Sequence, residues 1–222
     1  YRALDGRLWL DRCGERGIMS LDDVLLDRYA RHIVLKEIGG AGQMQLMAAH
    51  VTVIGAGGIG CPAIQYLAGA GIGTIRVIDD DVVALSNLQR QTLFASEDIG
   101  SPKAEAAMQA VARLNPHVKV IPIVQRLDAD NAETLLRHSD VIIDGCDNFA
   151  TRLIVNDMAT KLRIPLVSSA VGQFEGQLSV FRGWEAGKPC YRCLVGSDPA
   201  RAEASCAEQG VLGALTGVMG SL

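Results

Sequence analysis

A short apolar run that breaks into glycines, "VTVIGAGGIG" (Val51–Gly60), is followed by a regular alternation of β-branched runs with helical patterns. Together they predict an α/β fold, a Rossmann-like and largely parallel sheet with helices on both faces. A third observation sets its extent. With 222 residues, 49% hydrophobic and 21% charged, the chain can bury one sizeable core, so one main domain is expected over residues 21–222. Residues 1–20, "YRALDGRLWLDRCGERGIMS", mix charges throughout and read as a separate N-terminal segment, upstream or added, with Met19 able to serve as the natural start.

The elements follow in order. Residues 21–35, "LDDVLLDRYARHIVL", read as one amphipathic helix beginning near Leu21 or Asp22, an N-terminal arm that "GGAG" then breaks. Strands are predicted at 51–54, 74–79, 118–124, 140–144 and 165–169. Helical patterns at 58–70, 102–114, 130–138 and 149–162 separate them, which implies right-handed crossovers between parallel strands. After Gly172, "GQLSVFRG" predicts an antiparallel strand, and a Gly/Pro-rich segment holding Cys190 and Cys193 as C-x-x-C extends the fold. The closing "GVLGALTGVMGSL" reads as a helix cut off partway.

Composition excludes some classes of function. A net charge of −4 and a pI near 5.6 argue against a general nucleic-acid surface. No apolar run is long enough to span a bilayer, and the N-terminal residues lack an apolar signal core, so a cytoplasmic protein is expected. Six unevenly spaced cysteines are too few for a secreted disulfide scaffold and point instead to metal or thiol chemistry.

Gly55, Gly57 and Gly60 have the G-x-G-x-x-G spacing of a loop that brings backbone and a helix amino terminus to phosphate. Alone, it does not separate NAD, FAD, ATP or S-adenosylmethionine. Asp79 stands 24 residues after Gly55, where a carboxylate can accept from ribose hydroxyls, or serve as a turn or cap residue. Beyond it come Asn87, Arg90 and Gln91, then Lys103 in "GSPKAEAA". A dinucleotide needs no such cations, whereas a triphosphate undergoing displacement does, so this cluster favours ATP. "VIIDGCDNFATR" ends a strand in Asp144, Asp147 and Asn148. Asp147 can hold Mg²⁺ against the phosphates, or either of the last two can cap the helix that follows.

The ordered set of R-x-x-R in "RYARHIVL", GAGGIG, an acidic strand end followed by "SNLQRQ", the lysine of "SPKA", D-N-x-x-x-R and "PCYRCL" resembles the ThiF/MoeB/HesA-type adenylyltransferases of the ubiquitin-activating-enzyme superfamily. The likeness covers roughly Asp22 to Leu222 and is nearest to the molybdopterin-synthase enzymes, with the thiamine-pathway enzymes beside them. It implies adenylation of the C-terminal glycine carboxylate of a small ubiquitin-like sulfur carrier by Mg-ATP. It further implies Gly58 beside the nucleotide, Asp79 on the ribose, Asn87, Arg90 and Lys103 around the phosphates, Asp147 at the magnesium, and Ser86 and Asn148 among the nucleotide-binding residues with Gly55 and Gly57. Arg31 matches an arginine finger that reaches the ATP of the other subunit in a homodimer.

The cysteines divide. Cys190 and Cys193 can form half of a tetrahedral zinc site or a redox dithiol; the resemblance implies a Cys₄ zinc whose second pair would follow Leu222. Cys206, in "EASCAEQGVLG", falls where relatives can carry a cysteine that links covalently to the carrier, although a lone cysteine beside small residues is more often inert. Cys61 reads as a small core residue, Cys146 departs from the threonine or serine of the family pattern, and Cys13 lies outside it. Two other readings remain open at this point. An NAD-dependent oxidoreductase would leave Arg90 and Lys103 unexplained, and a nucleotide-binding scaffold would lack turnover.

Overall fold

The computed structural model describes residues 21–196 and 210–222, so the N-terminal segment and Cys206 lie outside the described residues. Among the described residues six strands form one sheet: β1 (His50–Ile54), β2 (Thr74–Ile78), β3 (Lys119–Ile123), β4 (Val141–Asp144), β5 (Leu166–Val171) and β6 (Gly176–Phe181). Their order is β3-β2-β1-β4-β5-β6, with β6 antiparallel to β5 and every other pairing parallel. The strand and helix ends predicted within the sheet unit stand within two residues of those observed.

The helices are α1 (Asp23–Arg28), α2 (Ala30–Ile33), α3 (Gly39–Ala48), α4 (Gly60–Ala70), α5 (Lys103–Leu114), α6 (Ala132–Leu136), α7 (Phe149–Leu162), α8 (Tyr191–Val195) and α9 (Gly213–Ser221). Alternation along the strands splits the core in two. Val51, Val53, Ile75 and Val77 pack with Ile64, Ala68, Ala107 and Val111 of α4 and α5. Ile54, Ile78 and Ile142 face the other way, against Leu136, Phe149, Leu153 and Val155 of α6 and α7. That is the two-sided burial of a doubly wound sheet. No described helix is long and apolar enough to cross a membrane.

The N-terminal arm differs from its sequence reading. Asp22 does begin it, with its Oδ1 accepting from the Leu25 N–H at 2.9 Å. The single helix is broken at Tyr29, whose ring packs on Gly71 and whose hydroxyl accepts from Asn115 Nδ2 at 2.9 Å. "GGAG" opens α3 instead of ending the arm. Tertiary contacts override the low helix propensity of its glycines. Gly39 takes the left-handed φ of +59°, Met47 is buried with Tyr29 and Leu25, and the buried Gln43 donates from Nε2 to the Ala70 carbonyl at 2.8 Å. Because that bond orients the amide, Gln43 Oε1 is left as the acceptor for His32 Nδ1 at 3.2 Å.

Candidate active site

Beyond the carboxyl ends of the strands, where the chain crosses from one side of β1 to the other, lies a cavity of about 990 Å³. Gly55, Gly57, Gly58, Asp79, Asn87, Arg90, Lys103, Asp147 and Asn148 all line it. Ser86 and Arg31 do not.

The glycines act differently. Gly55 has φ +84°, and a Cβ at Gly60 would strike the Gly55 carbonyl, so both are required by the turn itself. At Gly57, among the described residues, a Cβ would meet no atom within 4 Å, so the fold does not itself require glycine there and the backbone lies open on the cavity wall.

Asp79 ties the loop to the next strand. Its Oδ2 accepts from the Ala56 N–H at 2.7 Å and its Oδ1 from the Asp81 N–H at 2.9 Å. Burial raises its carboxyl above the ordinary value, against the pull of Lys103 and these two N–H groups. Asp79 is thus both a turn residue and a cavity residue.

Lys103 opens α5, and its side chain is only 7% exposed. Its Nζ lies 2.8 Å from Asp81 Oδ2, while the Asp81 side chain is 71% exposed. The Lys103 backbone N–H also donates to the Asp81 carbonyl, at 2.9 Å. A surface lysine would not be held this way. Arg90 Nη1 donates to the Ser86 carbonyl at 3.1 Å, which curls the side chain along the 3₁₀ turn Leu85–Asn87. Ser86 itself is exposed and is not among the residues lining the cavity, while its carbonyl holds Arg90. Asn87 Oδ1 accepts from the Ala84 N–H at 3.2 Å. Gln91 is buried on the cavity wall, and its Oε1 has no partner among the described residues.

On the opposite wall, Asn148 caps α7, accepting from the Thr151 N–H at 2.9 Å. Asp147 is exposed to the cavity, and among the described residues its carboxylate makes no hydrogen bond or ion pair. An oxygen donor left open beside a phosphate-sized space suits a hard cation. Beneath it, Asp144 and Arg152 are buried 3.6 Å apart. Asp144 Oδ1 accepts from the Cys146 N–H at 3.1 Å and from its thiol at 2.8 Å, and Oδ2 accepts from Ser168 Oγ at 3.1 Å. Arg152 donates to the Ser169 carbonyl at 3.1 Å and to the Cys146 carbonyl.

Arg31 stands exposed on α2. Tyr29 and Gln43 hold the arm at Gly71 and Ala70, the carboxyl end of α4, whereas the glycine loop is at the amino end. The 11 residues of α4 separate the two by about 16 Å. Arg31, on the arm anchored at the far end of α4, is not among the residues that line the cavity.

The cysteines sort by burial. Burial pushes the Cys61 thiol up to about 12 and the Cys146 thiol well above its ordinary value, the latter with help from the Asp144 charge. Raised thiols of this kind hold little of the thiolate that a nucleophile needs. Cys190 and Cys193 bring their sulfurs to 3.6 Å, near the separation of about 3.8 Å that two thiolates have on tetrahedral zinc. At Cys190, burial opposes the thiolate, but hydrogen bonds from Cys193, Asn156 and Arg192 outweigh it and lower the thiol. Among the described residues no cluster of three or more His, Cys, Asp or Glu forms a metal site, so the pair fits only half of a zinc centre. Sequence reasoning missed Asp81, which the acidic run "DDD" could have flagged. It also missed Arg126 after β3, Thr216 of α9 and Gln177 of β6, which line the cavity and carry no motif.

The family model of the ThiF family matches residues 29–222. The SAMP-activating enzyme E1 of Haloferax volcanii is 47% identical over 205 residues, covering 92% of this chain and 75% of that protein. The sulfur carrier protein adenylyltransferase of Thermus thermophilus is 48% identical over 202 residues, covering 89% and 74%. The adenylyltransferase and sulfurtransferase MOCS3 of Mus musculus is 44% identical and longer, so the chain covers 92% of itself but 44% of that protein. Among solved structures, E. coli MccB with MccA-N7isoASN has the same fold, with TM-score 0.75 at 23% identity over 87% of this chain and 61% of that one. E. coli tRNA N6-threonylcarbamoyladenosine dehydratase in complex with AMP gives 0.64 at 28% identity, over 68% and 61%. On the family match and these relatives, the chain belongs to the ThiF family, as one of its adenylyltransferases.

Proposed function

We propose that the chain adenylates the C-terminal glycine carboxylate of a ubiquitin-like sulfur-carrier protein, the small subunit of molybdopterin synthase, consuming ATP and releasing pyrophosphate. One observation carries the reading: a buried lysine and an arginine on one wall, an open carboxylate on the other, and a glycine loop shaped for phosphate between them. A carrier carboxylate oxygen attacks the α-phosphorus, and the bond from that phosphorus to the bridging oxygen breaks, so pyrophosphate leaves with the electron pair. A general base is unnecessary, because a carboxylate with a pKa of about 4 is already ionised. Lys103 and Arg90 offset the approach of two anions and the charge gathering on the leaving oxygens. Asp79 accepts from the ribose hydroxyls through the lone pairs left by its two N–H donors. Asp147, with Asn148 beside it, would hold Mg²⁺, which supplies charge neutralisation at the phosphates when bound.

Arg31 acts across a two-fold axis of a homodimer in this reading, since it does not line the cavity of its own chain. Cys190 and Cys193 would share zinc with two further ligands from outside the described residues. The names of the Thermus thermophilus and Haloferax volcanii relatives support a sulfur-carrier or SAMP-type partner, and AMP in the E. coli dehydratase supports an adenine nucleotide. A cytoplasmic location goes with this chemistry. The carrier is tested by ATP–pyrophosphate exchange, measured in parallel with the molybdopterin-synthase and the thiamine-pathway carrier. Exchange is expected with the former at lower carrier concentration. Preference for the latter would move the enzyme to the thiamine pathway.

A further inference from the structure

Arg152 is the last residue of the D-N-x-x-x-R motif, and the chemistry above gives it no task. Its surroundings do. Cys146, directly before Asp147, is held through both of its backbone polar groups, so the peptide units on either side of it are fixed. The Asp144 carboxylate accepts its N–H at 3.1 Å, and the Arg152 guanidinium donates to its carbonyl. The same guanidinium donates to the Ser169 carbonyl of β5 at 3.1 Å and faces Asp144 Oδ2 at 3.6 Å. One planar cation thus joins the loop carrying Asp147 to the neighbouring strand β5, whose Ala170 and Val171 also line the cavity. Its donors are fixed in a fork, so both carbonyls are set at once, which a lysine cannot do. The cluster is too buried for water to replace these bonds, with Arg152 4% and Asp144 1% exposed.

We propose that Arg152 is a positioning residue for Asp147: through the Cys146 carbonyl it fixes the loop so that the Asp147 carboxylate meets the cation on the nucleotide. The proposal rests on the reading of Asp147 as the magnesium-side acid. The Asp144–Arg152 pair is then an outer-shell support of the kind that orients metal ligands, rather than a source of stability. Thr151, whose N–H engages Asn148, pins the other side of the same loop, and Asp147 between the two anchors is exposed on the cavity wall.

The test is direct binding of Mn²⁺, read by electron paramagnetic resonance, to protein saturated with a non-hydrolysable ATP analogue. Wild type, Asp147→Asn, Arg152→Lys and Asp144→Asn are compared, with folding checked by circular dichroism. Arg152→Lys should weaken Mn²⁺ binding roughly 10- to 100-fold, while affinity for the analogue without metal stays at the wild-type value. Asp144→Asn keeps an oxygen for the Cys146 N–H and withdraws the charge, so it should shift Mn²⁺ in the same direction by less. It decides the matter if Arg152→Lys fails to fold. If Asp147→Asn weakens Mn²⁺ and neither clamp variant does, the positioning role is overturned. If Asp147→Asn itself leaves Mn²⁺ unchanged, the assignment of Asp147 fails and takes this proposal with it.

Discussion

Lys103 and Arg90 are two of the cations that line the cavity, and they are held in different ways. Lys103 is buried against an exposed aspartate, so truncating it strands only a carboxylate that water already reaches, and the fold should survive. Arg90 is tethered locally to Ser86, one turn back. Lys103→Ala and Arg90→Ala should each cut adenylation on the order of 10²-fold or more, about 3 kcal/mol of lost transition-state stabilisation, with unchanged circular dichroism. Exchange near the wild-type rate in both would remove them from the active site. The sequence indicated these two because cations beside a glycine loop have few other uses. It did not indicate that Lys103 is buried, because that depends on Asp81, which pairs with it only after β2 and the start of α5 come together. The exposure of Ser86 was illegible for a related reason: its motif neighbours Asn87 and Arg90 line the cavity, while its own side chain on the 3₁₀ turn is exposed.

Elements formed where local pattern and tertiary packing agree. Strand alternation and the glycine turn are local, so the sheet unit was legible to within two residues. The arm was not, because the break at Tyr29 and the start of α3 are decided by where Tyr29, Gln43 and Met47 become buried. The glycine loop gives a sharp contrast. Gly60→Ala should lower the thermal midpoint, since its methyl group collides with the Gly55 carbonyl. Gly57→Ala should fold normally and lose affinity for ATP, measured by calorimetry. Equal loss of stability in the two would contradict a ligand-determined role for Gly57. At α8, Arg192 donates to both oxygens of Asp157, at 2.7 and 2.6 Å, and these bonds depress the Asp157 carboxyl below its ordinary value. A depressed folded value means the stabilisation is complete above the unfolded value of about 4 and is lost as the pH falls through the folded value. The urea midpoint of Asp157→Asn should therefore lie below wild type at neutral pH and converge with it in acid. The gap is at most about 1 kcal/mol, since the pair is partly exposed. A gap that widens on acidification would reverse the assignment.

At the scale of the whole molecule, Tyr29 and Gln43 anchor the arm at the carboxyl end of α4 while the cavity lies at its amino end, and on our proposal Arg31 therefore serves the site of a second chain. Mixing Arg31→Ala with Lys103→Ala subunits should restore activity, because a mixed dimer has one site with both defects and one intact site. With equal, random exchange, about half the dimers are mixed, and recovery should approach roughly a quarter of wild-type sites. No recovery after confirmed exchange would show that Arg31 does not act across an interface. The class of reaction was legible because the motifs lie near one another once a parallel sheet is assumed; the identity of the carrier was not, because it depends on surface shape beyond the catalytic residues. The most direct test of adenylyl transfer is intact-mass analysis of a diglycine-ended carrier after incubation with the enzyme and Mg-ATP under pyrophosphatase. One adenylyl group should appear on the C-terminal glycine, and none on the same carrier with its terminus amidated. An unmodified carrier in both cases, with ATP binding intact, would contradict the account.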